Sequence, residues 1–341
     1  MTAAVTPAAR CRIALDAMGG DNAPDEIVKG ALLAIEEYPV DILLVGKEEV
    51  LREKLAALGS PSPRNLEIVD AREVVEMDDT ALAPLRRKRN SSIRVCANLI
   101  AEKRAQAMVS AGHTGASMTS AYKVLGTIEG VSRPALAAIV PSSHGHTVLL
   151  DVGANVDSKP AYLREFAVMG HFYAQMVFGV AEPRVGLLSI GEEEGKGNEL
   201  TKETFRVMKE TGLNFVGNAE GRDVYNGNCD VVVCDGFTGN VVLKTSEGFV
   251  ELIEAELSSA FTTRIGSLLT RRALRHFHRR VDYAEYGGAP LLGVAGVAVV
   301  GHGRSNAKAV RNAVAMAYRF AAQRVIERIE RDIAAAAVSH P

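Results

Sequence analysis

The chain has 341 residues, 47% of them hydrophobic, enough apolar material for one large α/β domain or two smaller ones. A formal net charge of −2 argues against a general nucleic-acid binder and leaves electrostatic attraction to local patches. Four cysteines (Cys11, Cys96, Cys229 and Cys234) lack the density of a disulfide scaffold and the paired spacing of a zinc site, which points to reduced thiols in a cytoplasmic protein. No charged start leads into an apolar core, and no apolar run is long enough to cross a bilayer, so secretion and membrane spanning are disfavoured.

Short apolar runs at 12–17, 41–46, 66–70, 107–110, 136–140, 147–152, 184–190, 230–234 and 296–300 read as buried strands. Helical patterns lie among them at 24–38, 48–58, 92–105, 116–125, 160–178, 199–211, 240–260 and 305–337. This alternation implies an α/β fold with a largely parallel sheet, helices on both faces, and ligands beyond the carboxyl ends of the strands. Without a linker, a repeat or a shift of composition, one unit over 11–337 is expected, preceded by a disordered 1–10. A helical tip at 258–288 breaks the alternation. It is cationic, with Arg264, Arg271, Arg272, Arg275, Arg279 and Arg280 against Asp282 and Glu285. Phe261, Ile265, Leu268 and Leu269 share one helical face, while Leu274, Phe277 and Val281 share another, so the phase jump suggests two short helices. Such a pair suits a peripheral membrane anchor, a dock for an acidic partner, or surface helices packed on the body or on a second subunit.

The strand at 12–17 runs into Asp16-Ala-Met-Gly19-Gly20-Asp21-Asn22-Ala-Pro24, where glycines permit close approach of a ligand and helix-start amides point at an anion. Asn22 can cap the helix and Pro24 suits its first turn. The other reading is an ordinary strand-to-helix turn. Four further segments repeat the design: Ser110-Ala-Gly112-His113-Thr114-Gly115-Ala, Asp151-Val-Gly-Ala-Asn155-Val-Asp157, Ile190-Gly-Glu-Glu-Glu-Gly-Lys196-Gly-Asn198 and Asp235-Gly-Phe-Thr238-Gly239-Asn240. Their shared form suggests one pocket.

Several chemistries are excluded. The loop around Lys196 is one residue too short for a nucleotide-binding P-loop and has Gly where Ser or Thr would hold magnesium. A lysine between glycines suits a mobile charge on phosphate, or it is a solvated loop lysine beside three glutamates. Gly303-Arg-Ser305-Asn-Ala only approximates a nucleophile elbow. His113, His144 and His146 fall in different loops without ligand spacing, so no metal is expected. Asp16 and Asp21 would repel a pyrophosphate, which weakens a dehydrogenase reading. What remains is a phosphate-sized anion pocket lined by backbone amides, Lys196, Thr114, Thr238 and Asn240, with phosphate itself as candidate nucleophile.

Seven motifs then resemble, in order, the bacterial acyl-[acyl carrier protein]:phosphate acyltransferases of fatty acid and phospholipid synthesis. They are Ala14-Leu-Asp-Ala-Met-Gly-Gly-Asp-Asn-Ala-Pro24, Val109-Ser-Ala-Gly-His-Thr-Gly-Ala116, Leu150-Asp-Val-Gly-Ala-Asn155, Glu193-Glu-Gly-Lys-Gly-Asn198, Gly217-Asn-Ala-Glu-Gly-Arg-Asp223, Asp230-Val-Val-Val-Cys-Asp-Gly-Phe-Thr-Gly-Asn240 and Tyr286-Gly-Gly-Ala-Pro-Leu-Leu-Gly293. The resemblance spans about 12–317. It implies a three-layer α/β/α, doubly wound fold like those of phosphotransacetylases and isocitrate dehydrogenases. The implied reaction moves a long-chain acyl group from acyl carrier protein to inorganic phosphate. The acyl phosphate would serve glycerol-3-phosphate acylation, with the downstream glycerol-3-phosphate acyltransferase as a further partner. It implies no cofactor and no metal, a homodimer, and peripheral attachment to the inner face of the cell membrane.

Residue by residue, the resemblance makes Lys196 and Asn240 the catalytic pair. It gives phosphate binding to Asp16, Gly19, Gly20, Asn22, Gly112, His113, Thr114, Gly115, Asn198, Thr238 and Gly239. His113 stands where the family pattern has Asn. Arg86, Arg87, Lys88 and Arg89 match a basic run suited to docking the acidic carrier protein, the other reading being a solvated charge run. Ile265, Leu268, Leu269, Arg271, Arg272, Leu274, Arg275 and Phe277 would meet an anionic membrane surface. Two rivals are a phosphate acetyltransferase-like enzyme using coenzyme A thioesters and a non-catalytic membrane scaffold for acyl carrier protein.

Overall fold

The computed structural model of the chain describes residues 10–260 and 283–339, which form two compact units. The first holds the described residues up to Pro134 together with Tyr286–Ser339, and the second is Ala135–Glu285. Sequence analysis expects one unit over 11–337 because no linker marks the crossings. The chain enters the second unit directly into a strand and leaves it within one helical turn. Residues 1–9 and 261–282 lie outside the described residues. So do the membrane candidates Ile265, Leu268, Leu269, Arg271, Arg272, Leu274, Arg275 and Phe277.

The first unit begins with β1 (Cys11–Asp16), α1 (Asp25–Glu37), β2 (Val40–Gly46), α2 (Glu48–Ala57), β3 (Leu66–Asp70), α3 (Ala83–Arg86), α4 (Ser92–Ala101), β4 (Ala107–Ser110) and α5 (Thr114–Leu125). The second contains β5 (Ala135–Ser142), β6 (Gly145–Leu150), α6 (Pro160–Phe178), β7 (Val185–Leu188), α7 (Glu199–Met208), β8 (Phe215–Ala219), α8 (Asp223–Asn226), β9 (Val231–Val233) and α9 (Gly236–Ala260). After α10 (Tyr283–Tyr286) the chain completes the first unit with β10 (Ala289–Leu292), β11 (Val297–Val300), α11 (Ala307–Ala322) and α12 (Val325–Ser339).

In the first unit the strands run β3-β2-β1-β4-β11-β10, parallel except for the β10–β11 pair. Successive strands leave β1 in opposite directions, so β1 and β4 flank the point where strand order reverses, the usual ligand crevice of such sheets. In the second the order is β5-β6-β9-β7-β8, parallel except for β5–β6. The inner strands are apolar on both faces because both are covered. Ile13, Leu15 and Met108 are buried in the first unit, and Val148, Leu187 and Val231 in the second. Each such side chain contributes about 1.5–3 kcal/mol. α1 lies so close to α11 that a Cβ at Gly30 would sit 2.5 Å from the Val310 Cβ, so only glycine fits there.

The mostly parallel α/β architecture is the one the alternation predicts. Two strands, the one-turn helices α3 and α8 and one helix break escape it. β8 carries Gly217 and Asn218 in a five-residue run, and β10 carries Pro290, so neither reads as a buried apolar strand. The helical pattern at 305–337 divides at Arg324, whose φ of 51° turns the backbone left-handed between α11 and α12. All four cysteines are buried, and no disulfide joins them.

Candidate active site

In the first unit, two glycine turns meet at the carboxyl ends of β1 and β4 around Asp16. Asp16 has no exposed surface. Its Oδ2 accepts from the Ser110 hydroxyl at 2.7 Å, and its Oδ1 accepts from the Met18 amide at 3.1 Å. Ser110 in turn accepts from the Gly112 amide at 3.2 Å. Burial pushes the Asp16 carboxyl above its ordinary pKa, while donors from Ser92, Ser110, Met18 and Gly19 pull it back. Asp16 is therefore committed to bracing the two turns. A Cβ on Gly19 would lie 2.8 Å from the Gly112 Cα, so the turns touch backbone to backbone and glycine is needed at the contact.

Asn22 does not cap α1 as the sequence reading expects. Its amide reaches the carbonyls of Arg304 and Ser305 at 3.4 and 3.5 Å, and the helix starts after Pro24 with no side-chain cap. The turn is pinned instead to the loop after β11, where the Asp21 amide donates to the Gly303 carbonyl at 2.8 Å. β11 is parallel to β4, so three loops share one edge of this sheet.

His113 is the N-cap of α5. Its Nδ1 accepts from the Ala116 amide at 3.2 Å, so Nε2 donates to the Asp79 carbonyl at 3.0 Å. An Asn side chain would offer the same cap acceptor, which explains why His can stand here. The amides of Thr114 and Gly115 head the helix with no hydrogen-bond partner among the described residues, the arrangement that attracts an anion. Asp79 also holds Lys88, whose Nζ lies 2.5 Å from Oδ2 and 2.7 Å from the Val74 carbonyl. Lys88 is therefore structural, whereas Arg86, Arg87 and Arg89 are exposed with no ion-pair partner among the described residues.

In the second unit, β6, β9 and β7 are neighbours and parallel. Their following loops, 151–157, 235–240 and 189–198, therefore emerge at one edge, about 5 Å apart from strand to strand. Asp151 is fully buried. Its Oδ1 accepts from the amides of Leu136 (2.9 Å), Gly153 (3.1 Å) and Ala154 (2.9 Å), and its Oδ2 from the backbone and side-chain N–H of Asn155 (2.7 and 2.9 Å). Burial raises this carboxyl too, and those donors oppose the rise. Asp235 caps α9 by accepting from the Thr238 amide and hydroxyl at 2.8 and 2.7 Å, so the Thr238 proton is engaged within the turn. Gly239 packs on the Asp151 carbonyl with no room for a Cβ. Asn240 is exposed, and its side chain has no partner among the described residues.

Lys196 is exposed on the loop after β7, held through its amide to the Glu193 carbonyl at 2.9 Å. Two of the three glutamates beside it are taken by other cations: Glu192 pairs with Arg222 at 2.9 Å and Glu194 with Lys209 at 2.7 Å. The Lys196 ammonium has no ion-pair partner among the described residues. Asn198 caps α7, accepting from the Thr201 amide at 2.9 Å, and leaves the amides of Glu199 and Leu200 at the helix head. Asp151, Asn155 and Asp235 stand in the sequence motifs without assigned roles, and Asp79 stands in none of them. The signal available for Asp151 and Asp235 was an acidic residue just past a strand, followed within five positions by Gly and Asn or Thr, with Asn155 as that Asn in the first case.

Among the described residues no cluster of side chains could hold a metal ion, and no helix is long and apolar enough to cross a membrane. The model of the family described as fatty acid synthesis protein matches residues 11–328. A phosphate acyltransferase from Acidobacterium capsulatum is 52% identical over 332 residues, covering 96% of this chain and 98% of that protein. Another from Pelotomaculum thermopropionicum is 52% identical over 326 residues, with 94% and 95% covered. Among solved structures, a phosphotransacetylase from Streptococcus pyogenes shares the fold with a TM-score of 0.62 at 19% identity, over 93% of this chain and 94% of that one. The chain therefore belongs to the fatty acid synthesis protein family and, within it, to the phosphate acyltransferases.

Proposed function

We propose that the protein transfers a long-chain acyl group from the thioester of acyl carrier protein to inorganic phosphate, giving acyl phosphate and the free carrier thiol. The observation that carries this reading is Lys196, a cation with no ion-pair partner among the described residues, on the loop after the strand that neighbours the one leading to Asn240. Lys196 neutralises and aims the phosphate. A phosphate oxygen attacks the thioester carbonyl carbon, Asn240 donates to the oxyanion that forms, and the C–S bond breaks as the oxyanion collapses. The departing thiolate has a conjugate-acid pKa of about 8.5, so it leaves without a strong general acid and takes its proton from water. The helix-head amides of Glu199 and Leu200, in the same unit as Lys196 and Asn240, supply further anion donors of the kind phosphate needs.

Arg86, Arg87 and Arg89 steer the acidic carrier protein, and this exposed basic trio favours a carrier-bound substrate over the coenzyme A rival. In the same reading the product feeds glycerol-3-phosphate acylation, the protein is a homodimer, and residues 265–277 lie on an anionic membrane. Mixing the protein with phosphate and either acyl carrier thioester or acyl-coenzyme A, then trapping acyl phosphate with hydroxylamine, separates the two substrates. Phosphate-dependent hydroxamate from the carrier thioester is expected, and hydroxamate from acyl-coenzyme A alone defeats the reading. Co-sedimentation with anionic vesicles tests the membrane contact. Equal recovery of wild type and Leu268→Glu in the pellet would count against it.

A further inference from the structure

The structure assigns to Asp151 a role no mechanism step uses: we infer that it is the positioning residue for Asn240, acting through the 151–155 turn. The inference rests on the proposed role of Asn240 and adds the group that holds it in place. The two turns interlock at several points. The Gly236 amide donates to the Asn155 carbonyl at 2.7 Å, and the Asp151 amide donates to the Cys234 carbonyl at 3.1 Å. A Cβ on Gly236 would lie 2.6 Å from the Asn155 carbonyl oxygen. Gly239, immediately before Asn240, packs on the Asp151 carbonyl. Gly153, whose amide is held by Asp151 Oδ1 at 3.1 Å, faces the Asn240 side chain, with its Cβ position 3.7 Å from Asn240 Cγ. The Asp151 carboxylate thus fixes the turn that faces the Asn240 amide.

An ionised carboxylate is all acceptor, which is what five converging N–H groups require. Asp151→Asn keeps the shape but turns an NH2 toward either the Asn155 donors or the three donors on Oδ1, whichever way the amide is flipped. The turn must then shift. Because small displacements of a transition-state donor are costly, Asp151→Asn is expected to lower kcat about 10-fold or more while the KM for phosphate moves less than about 2-fold.

A merely structural role is separated by a double-mutant cycle read as phosphate-dependent hydroxamate. If Asp151 acts through Asn240, adding Asp151→Asn to Asn240→Ala changes kcat by less than about 2-fold, whereas full additivity overturns the inference. Thr147→Val is the stability control. It removes the buried bond from the Thr147 hydroxyl to the Cys229 carbonyl, made in the strand that leads into Asp151. Wild-type kcat is expected there, and a matching fall in kcat at equal thermal destabilisation also overturns the inference. If Asp151→Asn does not fold, Asn155→Ala removes the side-chain bond to Oδ2 and keeps the backbone one. A smaller kcat fall with the same non-additivity is expected, and an additive fall counts against Asp151. An Asn240→Ala protein with full activity defeats both the inference and the role of Asn240. An impaired Asn240→Ala with additive Asp151→Asn defeats the inference alone.

Discussion

Asp16 and Asp151 sit alike, each fully buried at the carboxyl end of an inner strand and each followed by a glycine turn, yet they are held by different partners. Asp16 draws on hydroxyls from elsewhere in the chain, Ser110 at the end of β4 and Ser92 at the start of α4, so it ties separate segments together. Asp151 draws mainly on amides of its own turn and clamps that turn into one shape. The same residue in the same place is a cross-brace in one unit and a local clamp in the other. Loss of the first should therefore appear as lost stability, and loss of the second as lost geometry at a neighbouring side chain.

The largest effect expected from this contrast is on folding. Asp16→Ala leaves buried donors on Ser110, Ser92 and Met18 without their acceptor, at about 1–3 kcal/mol for each that finds no other partner. A total loss of about 3 kcal/mol or more should be visible in denaturant or thermal unfolding, and an unchanged midpoint would show that Asp16 braces nothing. Next comes Lys196→Ala, expected to fold normally and to lose about 10²-fold or more in turnover. Near-wild-type hydroxamate formation by that variant would remove the lysine from the reaction.

Reversing Arg86, Arg87 and Arg89 to Glu should raise the KM for acyl carrier thioester about 10-fold at low salt, less at high salt, with stability unaffected. Lys88→Glu should instead destabilise, because it sets two carboxylates against each other at Asp79. Equal KM changes from both substitutions would erase that distinction. The smallest effect belongs to His113. Ala there removes the α5 cap and should cost about 1 kcal/mol, whereas Asn keeps an acceptor for the Ala116 amide and should stay within about 0.5 kcal/mol of wild type. Equal losses would mean that the imidazole does more than cap.

The mostly parallel architecture was legible because buried parallel strands must be apolar on both faces, and the runs at 12–17 and 230–234 announce that directly. The clustering of polar turns at strand carboxyl ends followed from the same pattern, and within each unit the strand order bears it out. Hidden from the sequence were facts of partnership. Three glutamates beside Lys196 read as its natural counter-ions until Arg222 and Lys209 come from distant positions to take two of them. Lys88 reads as one more surface charge in a basic run, but Asp79 turns it inward. Asn22 looks like a helix cap, and only the fold brings the Arg304 and Ser305 carbonyls within its reach. Periodicity reports burial, but it does not report which of several compatible partners a charged or amide side chain finds across the fold.

The most direct test supplies the protein with acyl carrier thioester and radiolabelled orthophosphate and follows label, thiol and acyl product together. Label entering acyl phosphate at the rate of thiol release, and lost together with that release in Lys196→Ala, is the expected result. Thiol release accompanied by free fatty acid and no labelled acyl phosphate would contradict phosphate as the nucleophile held by these turns.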